Sequence, residues 1–321
     1  MKALYLSLFT LLVLWIVALA VFAPLARATP VATITVNTPA DSDADDAYCS
    51  LREALIAANT DTAYHGCAAG SGDDTITFSV SGTITLTSAL PDITSNININ
   101  GPGLSALAVS GDGKYRVFDV TSPVTTTLQN LTVRDGYCPN TSACGGAGIR
   151  TAGGALTIVN TRFLSNTVAG GFLGSFGGAI MVNGTAITIS HSLLSGNYGG
   201  AIYAEHAALN VDHSTLDGNM AGGDGGALEL RSDVRGTIVS STFSHNSAQM
   251  GGAIALRYGA VVTVTHSTFY SNTSSYFDGS GIKNNGSTLT VVDTAFSSNQ
   301  GTALSRAGDK HCRGHAQPSA R

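Results

Sequence analysis

Apolar and polar residues alternate in short bursts along most of this chain, and the bursts recur. Val262-Thr263-Val264-Thr265, Ile187-Thr188-Ile189-Ser190 and Leu289-Thr290-Val291-Val292 place β-branched or apolar residues at every second position. That is the period of a half-buried strand, and no run inside the repeats fits a helical face. Two signatures punctuate the bursts. One is Gly-Gly-Ala plus an apolar residue, at Gly177-Gly178-Ala179-Ile180, Gly199-Gly200-Ala201-Ile202, Gly225-Gly226-Ala227-Leu228 and Gly251-Gly252-Ala253-Ile254, with looser copies at 145–147, 279–282 and 301–304. The other is an aromatic or Leu followed three residues later by Asn, from Phe163/Asn166 to Phe296/Asn299. A period in the twenties is that of a solenoid. Coils of that length hold about three short strands, stacked in parallel roughly 4.8 Å apart. The pattern predicts a parallel β-helix in which the Phe residues stack inside, the glycines make sharp bends, and each Asn sits in a left-handed turn and bonds to its counterpart one coil away.

One segment has a helical pattern instead. In Cys49–Asn59, Leu51, Ala54, Leu55 and Ala58 form an apolar stripe, and Ser50 with Glu53 forms a capping box. A lone amphipathic helix ahead of a solenoid is placed to cover the open first coil. Cys49-Ser50-Leu51-Arg52-Glu53-Ala54, with Ala57-Ala58-Asn59, Gly72-Asp73-Asp74-Thr75-Ile76-Thr77-Phe78 and Leu90-Pro91-Asp92-Ile93, resembles the CSLREA domain that opens many exported bacterial repeat proteins. The Gly-Gly-Ala-Ile and Phe-x-x-Asn repeats are similar to those of polymorphic outer membrane proteins. Together these resemblances cover about residues 33–304. They imply a right-handed, single-stranded β-helix of the pectin-lyase-like type, exported to the cell surface or outer membrane or secreted, often of unknown activity, with adhesion to a glycan or a host or neighbouring cell surface in the best-known branch. They supply no catalytic residue.

The N-terminus agrees with export. A basic start at Lys2, an apolar run over 4–22 and the ending Ala26-Arg27-Ala28 predict a signal peptide cleaved after Ala28; an uncleaved membrane anchor is the alternative. The expected domains are then a signal peptide over 1–28, an N-terminal cap over 29–74, a β-helix over 75–304 and an irregular tail over 305–321. That tail carries no strand pattern, so the last coil is expected to lie uncapped, either because the chain is truncated relative to its relatives or because the open end meets another chain.

Composition narrows the function. With 16 Lys plus Arg against 21 Asp plus Glu, the formal charge is −5, which argues against a nucleic-acid partner. Membrane contact is expected only through the signal or an anchor. In an exported chain the five cysteines suggest two local disulfides, Cys49 with Cys67 and Cys138 with Cys144, leaving Cys312 over.

Three constellations could carry chemistry. The acidic run Asp41–Asp46 has spacing that could hold Ca²⁺ but lacks a loop glycine, so a solvated loop is expected and no cofactor is assigned. His191, His213 and His266 share a column with Asn160, Ser240 and Asp293, which points to a polar turn rather than a zinc or proton-transfer site. Asn183, Glu205, Arg231 and Arg257 share another. Its two arginines could clamp an acidic group, and with Tyr203, Glu229 and Tyr258 they form the candidate face for an extracellular glycan. A polysaccharide lyase or glycoside hydrolase needs clustered acids, whereas Asp212, Asp217, Asp224 and Asp233 look scattered over turns. The sequence therefore favours a structural or adhesive surface protein over an enzyme acting on an extracellular polysaccharide.

Overall fold

The structure is a computed structural model that describes residues 31–139, 144–169, 176–276 and 278–306. The predicted signal segment, its cleavage point after Ala28 and Cys312 lie outside these residues.

Three parallel sheets run the length of the repeats. A ten-stranded sheet begins at Ala32–Val36 and ends at Thr288–Val292, a nine-stranded sheet begins at Gly82–Thr85 and ends at Ala295–Ser297, and an eight-stranded sheet runs from Phe118–Val120 to Leu304–Arg306. Each regular coil contributes one strand to each sheet, of four, five and three residues in turn, as in Ile202–Glu205, Ala208–Asp212 and Thr215–Asp217. Every second side chain points inward, so one apolar core runs through the coils. Phe269 lies between Phe243 and Phe296 there, with ring centroids 4.7 and 4.8 Å apart.

Each corner of the coil has its own cause. Asn166, Asn197, Asn219, Asn246, Asn272 and Asn299 form a ladder in which every Nδ2 donates to the next Oδ1 at 2.9–3.0 Å. The sequence placed these asparagines in the left-handed region, and the structure corrects this. Their predecessors Ser165, Gly196, Gly218, His245, Ser271 and Ser298 take positive φ, which turns each Asn inward, buried in every coil except the last, where Asn299 is partly exposed. At the corner before the nine-stranded sheet, Asn130, Asn160, His191, His213, Ser240, His266 and Asp293 all adopt φ between 43° and 60°. At the third corner Gly225 has φ 65°, and a Cβ on Gly226 would collide with the carbonyl of Gly252. The pair thus needs both the conformational freedom and the missing side chain.

The first coils are less regular than the later ones. The apolar and polar run over 125–134 forms two strands, Thr125–Gln129 and Thr132–Arg134, because Asn130 turns left-handed between them. Leu107–Ser110 adds a further strand to the nine-stranded sheet.

Helix α1 spans Leu51–Thr60. Ser50 Oγ accepts from the Glu53 backbone N–H at 3.2 Å, while Glu53 Oε2 accepts from that of Ser50 at 2.8 Å. Arg52 of the helix donates to both carboxylate oxygens of Asp41 and to the carbonyls of Ser88 and Ala89. Leu51, Ala54, Leu55 and Ala58 are fully buried within the core cluster that holds Ile34 and Ile76 of the first two strands. The Cys49–Cys67 disulfide closes the segment containing the helix.

Candidate functional site

The densest set of functional side chains lies on the eight-stranded sheet. Strand register sets Asn183 beside Glu205 and Glu205 beside Arg231, with Tyr203 beside Glu229 one column away. Ion pairing does not follow this register. Arg231 Nε donates to Glu229 Oε1 on its own strand at 2.5 Å, and Arg257 pairs with Asp224. Glu205 instead accepts from the hydroxyls of Ser232 at 2.8 Å and Tyr203 at 3.0 Å. The Glu205–Arg231 surface pair that register alone would suggest is therefore replaced by a pair at greater depth, since Glu229 is 0 % exposed. The Arg231 guanidinium lies between two rings, 5.7 Å from the centroid of Tyr203 and 5.8 Å from that of Tyr258. Tyr258 itself is 61 % exposed. Burial, reinforced by Glu205, pushes the Tyr203 hydroxyl up to about 12, against the opposing pull of Arg231.

Sequence reasoning set Asp224 aside as one of several acids scattered over turns and did not link it to Arg257. It occupies the loop between Asn219 and Gly225, whose length varies from coil to coil, so no periodic signal marks it. Chemically, each of the two arginines already faces a carboxylate and Glu205 adds a third acid, so the cluster is an acid-rich platform with an exposed aromatic ring rather than a bare cationic clamp.

The other constellations resolve in different ways. His191 and His213 stack with centroids 5.3 Å apart, and His213 Nδ1 lies 2.7 Å from Asp212 Oδ1. The positive φ shared along their column accounts for its Asn, Ser, Asp and His content, since these residues tolerate that region best. The acidic run is less solvated than its composition suggests, because Arg52 and Thr87 hold Asp41. Asp43, Glu53 and His65 bring one ligand atom each within 4.8 Å of one another. Glu53 already serves the backbone N–H groups of Ala44 and Ser50. Cys138 and Cys144 are bonded, as are Cys49 and Cys67.

The ten-stranded sheet carries a feature that the sequence reading did not extract. At one outward position of each strand, the central one from Thr127 onward, stand Thr33, Thr75, Asn98, Thr127, Thr157, Thr188, Asn210, Thr237, Thr263 and Thr290, in unbroken register. Ten strands at the usual spacing make this column about 43 Å long. None of its members is buried, and the strands of this sheet direct only two charged side chains outward, Asp212 and Arg235. The signal was present as a polar centre in each five-residue burst from Thr127 onward, but the unequal coil lengths conceal its alignment.

Residues 178–310 match the family described as a right handed beta helix region. The fold is a right-handed parallel β-helix. No curated protein matches the chain. The β-helix thus offers two surfaces of different chemistry, a hydroxyl and amide face with only Asp212 and Arg235 as charges on the ten-stranded sheet and a charged, aromatic cluster on the eight-stranded one.

Proposed function

We propose that this protein is an exported surface or secreted module that adheres through the ten-stranded face to an extended, neutral, hydroxyl-rich glycan. The observation that carries the reading is the column from Thr33 to Thr290. A repeat of hydroxyl and amide groups along an extended surface suits a polymer that offers its own hydroxyls at regular intervals, so many weak bonds add up. A column without charges also binds without first stripping water from ions. Export rests on the leader-like N-terminus, the CSLREA-like opening and the two disulfides, since such bonds persist in oxidising compartments.

The enzymatic reading has one observation in its favour. Asp224, Glu229, Arg231 and Arg257 form two acid–arginine pairs around the exposed Tyr258, a denser grouping than the sequence suggested. Their mutual pairing favours a structural or binding role.

One assay separates the readings. Purified residues 29–306 would be incubated with insoluble and soluble polysaccharides, with Ca²⁺ and with chelator, and both retention and new reducing ends measured. Retention that is lost on replacing Thr157, Thr188 and Thr237 with Glu, without turnover, is the expected result. Turnover that vanishes in R231M or R257M would overturn it and make the protein a lyase or hydrolase.

A further inference from the structure

The two disulfides have different electrostatic surroundings. Cys49 is 1 % and Cys67 3 % exposed, and the polar atom recorded against both sulfurs is the Ser50 carbonyl oxygen, at 3.9 and 4.0 Å. At the second disulfide, Cys138 is buried and Cys144 is partly exposed. A carbonyl oxygen, that of Gly145, again lies 3.9 Å from the Cys138 sulfur. Here, however, a cation is added. Arg116 Nη2 stands 3.4 Å from Cys138 Sγ and 3.7 Å from Cys144 Sγ.

This guanidinium is fixed in place. Its Nε donates to the Gly146 carbonyl and its Nη2 to that of Gly145, both at 3.1 Å, while Nη1 donates to Asp119 Oδ2 at 2.6 Å. Asp119 does not neutralise it fully, because Arg150 on the next strand also takes both oxygens of that carboxylate, at 2.8 and 2.6 Å. Two guanidiniums share the Asp119 carboxylate, and Asp92 is a further acid whose field reaches Arg116, so what acts on the sulfurs directly is the Arg116 N–H aimed at them.

We propose that Cys138–Cys144 is a thiol-exchange site, at which a small thiol or dithiol attacks Cys144 and Arg116 stabilises the departing Cys138 thiolate. An incoming thiolate bonds to Cys144 Sγ and the Sγ–Sγ bond breaks, its electron pair leaving on Cys138 Sγ. A second thiolate then attacks the mixed disulfide and releases Cys144, so two thiols are oxidised to one disulfide as the protein pair is reduced. Exchange is faster when the leaving thiolate is the more stable one, and a neighbouring guanidinium supplies that stability. Cys144 is the partly exposed residue and Cys138 the buried one, whose sulfur is the nearer of the two to the guanidinium, which gives the site a direction.

The site also touches the cluster described above. Phe176 packs against the small apolar group of Cys138, Ala147 and Val168, and its ring centroid lies 6.1 Å from that of Tyr203.

Stepwise reduction of the full oxidised chain tests the proposal. Dithiothreitol would be raised gradually, free thiols alkylated, and peptides mapped so that each pair is followed separately from Cys312. Cys138–Cys144 should open at a roughly tenfold lower reductant concentration than Cys49–Cys67. R116Q should remove that gap without moving Cys49–Cys67, and R116K should keep most of it. In the partly reduced wild-type protein, alkylation of Cys138 should reach half its maximal rate below about pH 8. Equal or reversed opening order, or an unchanged gap in folded R116Q, overturns the proposal. Should R116Q not fold, a Cys138 alkylation midpoint at or above the ordinary thiol value would overturn it instead.

Discussion

The side-chain amide of Asn219 donates to Oδ1 of Asn246 at 3.0 Å and to the carbonyl of Leu194 at 2.9 Å. Its own Oδ1 accepts both the side-chain and the backbone N–H of Asn197. Asn219 is wholly buried, so it ties coils together with no help from water. Replacing it with Ala would strand buried donors and acceptors on two coils, at a cost of about 2–4 kcal/mol. Asn219→Asp should cost as much or more near neutral pH, since a carboxylate would face two oxygens. Denaturant midpoints of the two variants check this.

The interior Phe stack predicts a gradient. Phe269 is buried between two rings, whereas Phe296 stacks on one side and is only partly buried. Phe269→Ala should cost about 3–5 kcal/mol, the usual range for emptying a buried aromatic site. Phe296→Ala should cost clearly less. Comparable losses in thermal unfolding would show that the last coil is covered by something beyond the described residues.

Two buried aspartates should respond to pH in opposite senses. Burial alone would raise the Asp41 carboxyl, but the bonds from Arg52 and Thr87 outweigh it and hold the carboxyl below its usual value. Its stabilising contribution is present above the unfolded carboxylate pKa and is lost as pH falls through the lower folded one. Asp74 is raised, chiefly by burial and further by Asp61 and Asp73, against one bond from the Ser71 N–H. Its contribution is full below the unfolded value and is lost as pH rises through the folded one. Asp41→Asn should therefore destabilise more at pH 7 than at pH 3. Asp74→Asn should be neutral or stabilising at pH 7 and lose that advantage in acid. Unfolding midpoints across that range would reveal matching slopes if this assignment fails.

On the eight-stranded sheet, Arg231→Met would remove the guanidinium that faces the buried Glu229 carboxylate. Breaking one side of a buried pair typically costs about 3–5 kcal/mol, while replacing both sides costs far less. The double variant Glu229→Met, Arg231→Met should therefore be more stable than Arg231→Met alone. The reverse order in urea unfolding would mean that Glu229 is held by its other surroundings.

The periodic features of this chain were legible before its structure. Ser50 and Glu53 announced the helix cap, the two cysteine pairs announced their bonds, and Phe243, Phe269 and Phe296 announced their stack, because each depends on local spacing or on strict recurrence. The candidate cluster was legible only in part. Tyr203, Glu205, Glu229 and Arg231 are brought together by strand register, but register does not reveal depth, and depth decides that Arg231 pairs with Glu229. The pairing of Asp224 with Arg257 escaped because Asp224 lies in an aperiodic loop. The Thr and Asn column escaped for a related reason: sequence distance between its members changes whenever a distant loop changes length.

Those length changes fall mainly at one corner. Successive ladder asparagines are 31, 22, 27, 26 and 27 residues apart. Two residues always separate the ten-stranded from the nine-stranded sheet, and one residue always precedes each ladder Asn, in the coils from Asn183 to Asn299. The slack is taken up almost wholly between the ladder Asn and the next glycine pair, from one residue after Asn197 to ten after Asn166. Selection can thus lengthen, shorten or rewrite one seam of loops while the interior stays untouched. In this respect the molecule resembles a frame with a single replaceable edge, where new recognition can evolve or be grafted by an engineer without renegotiating the fold.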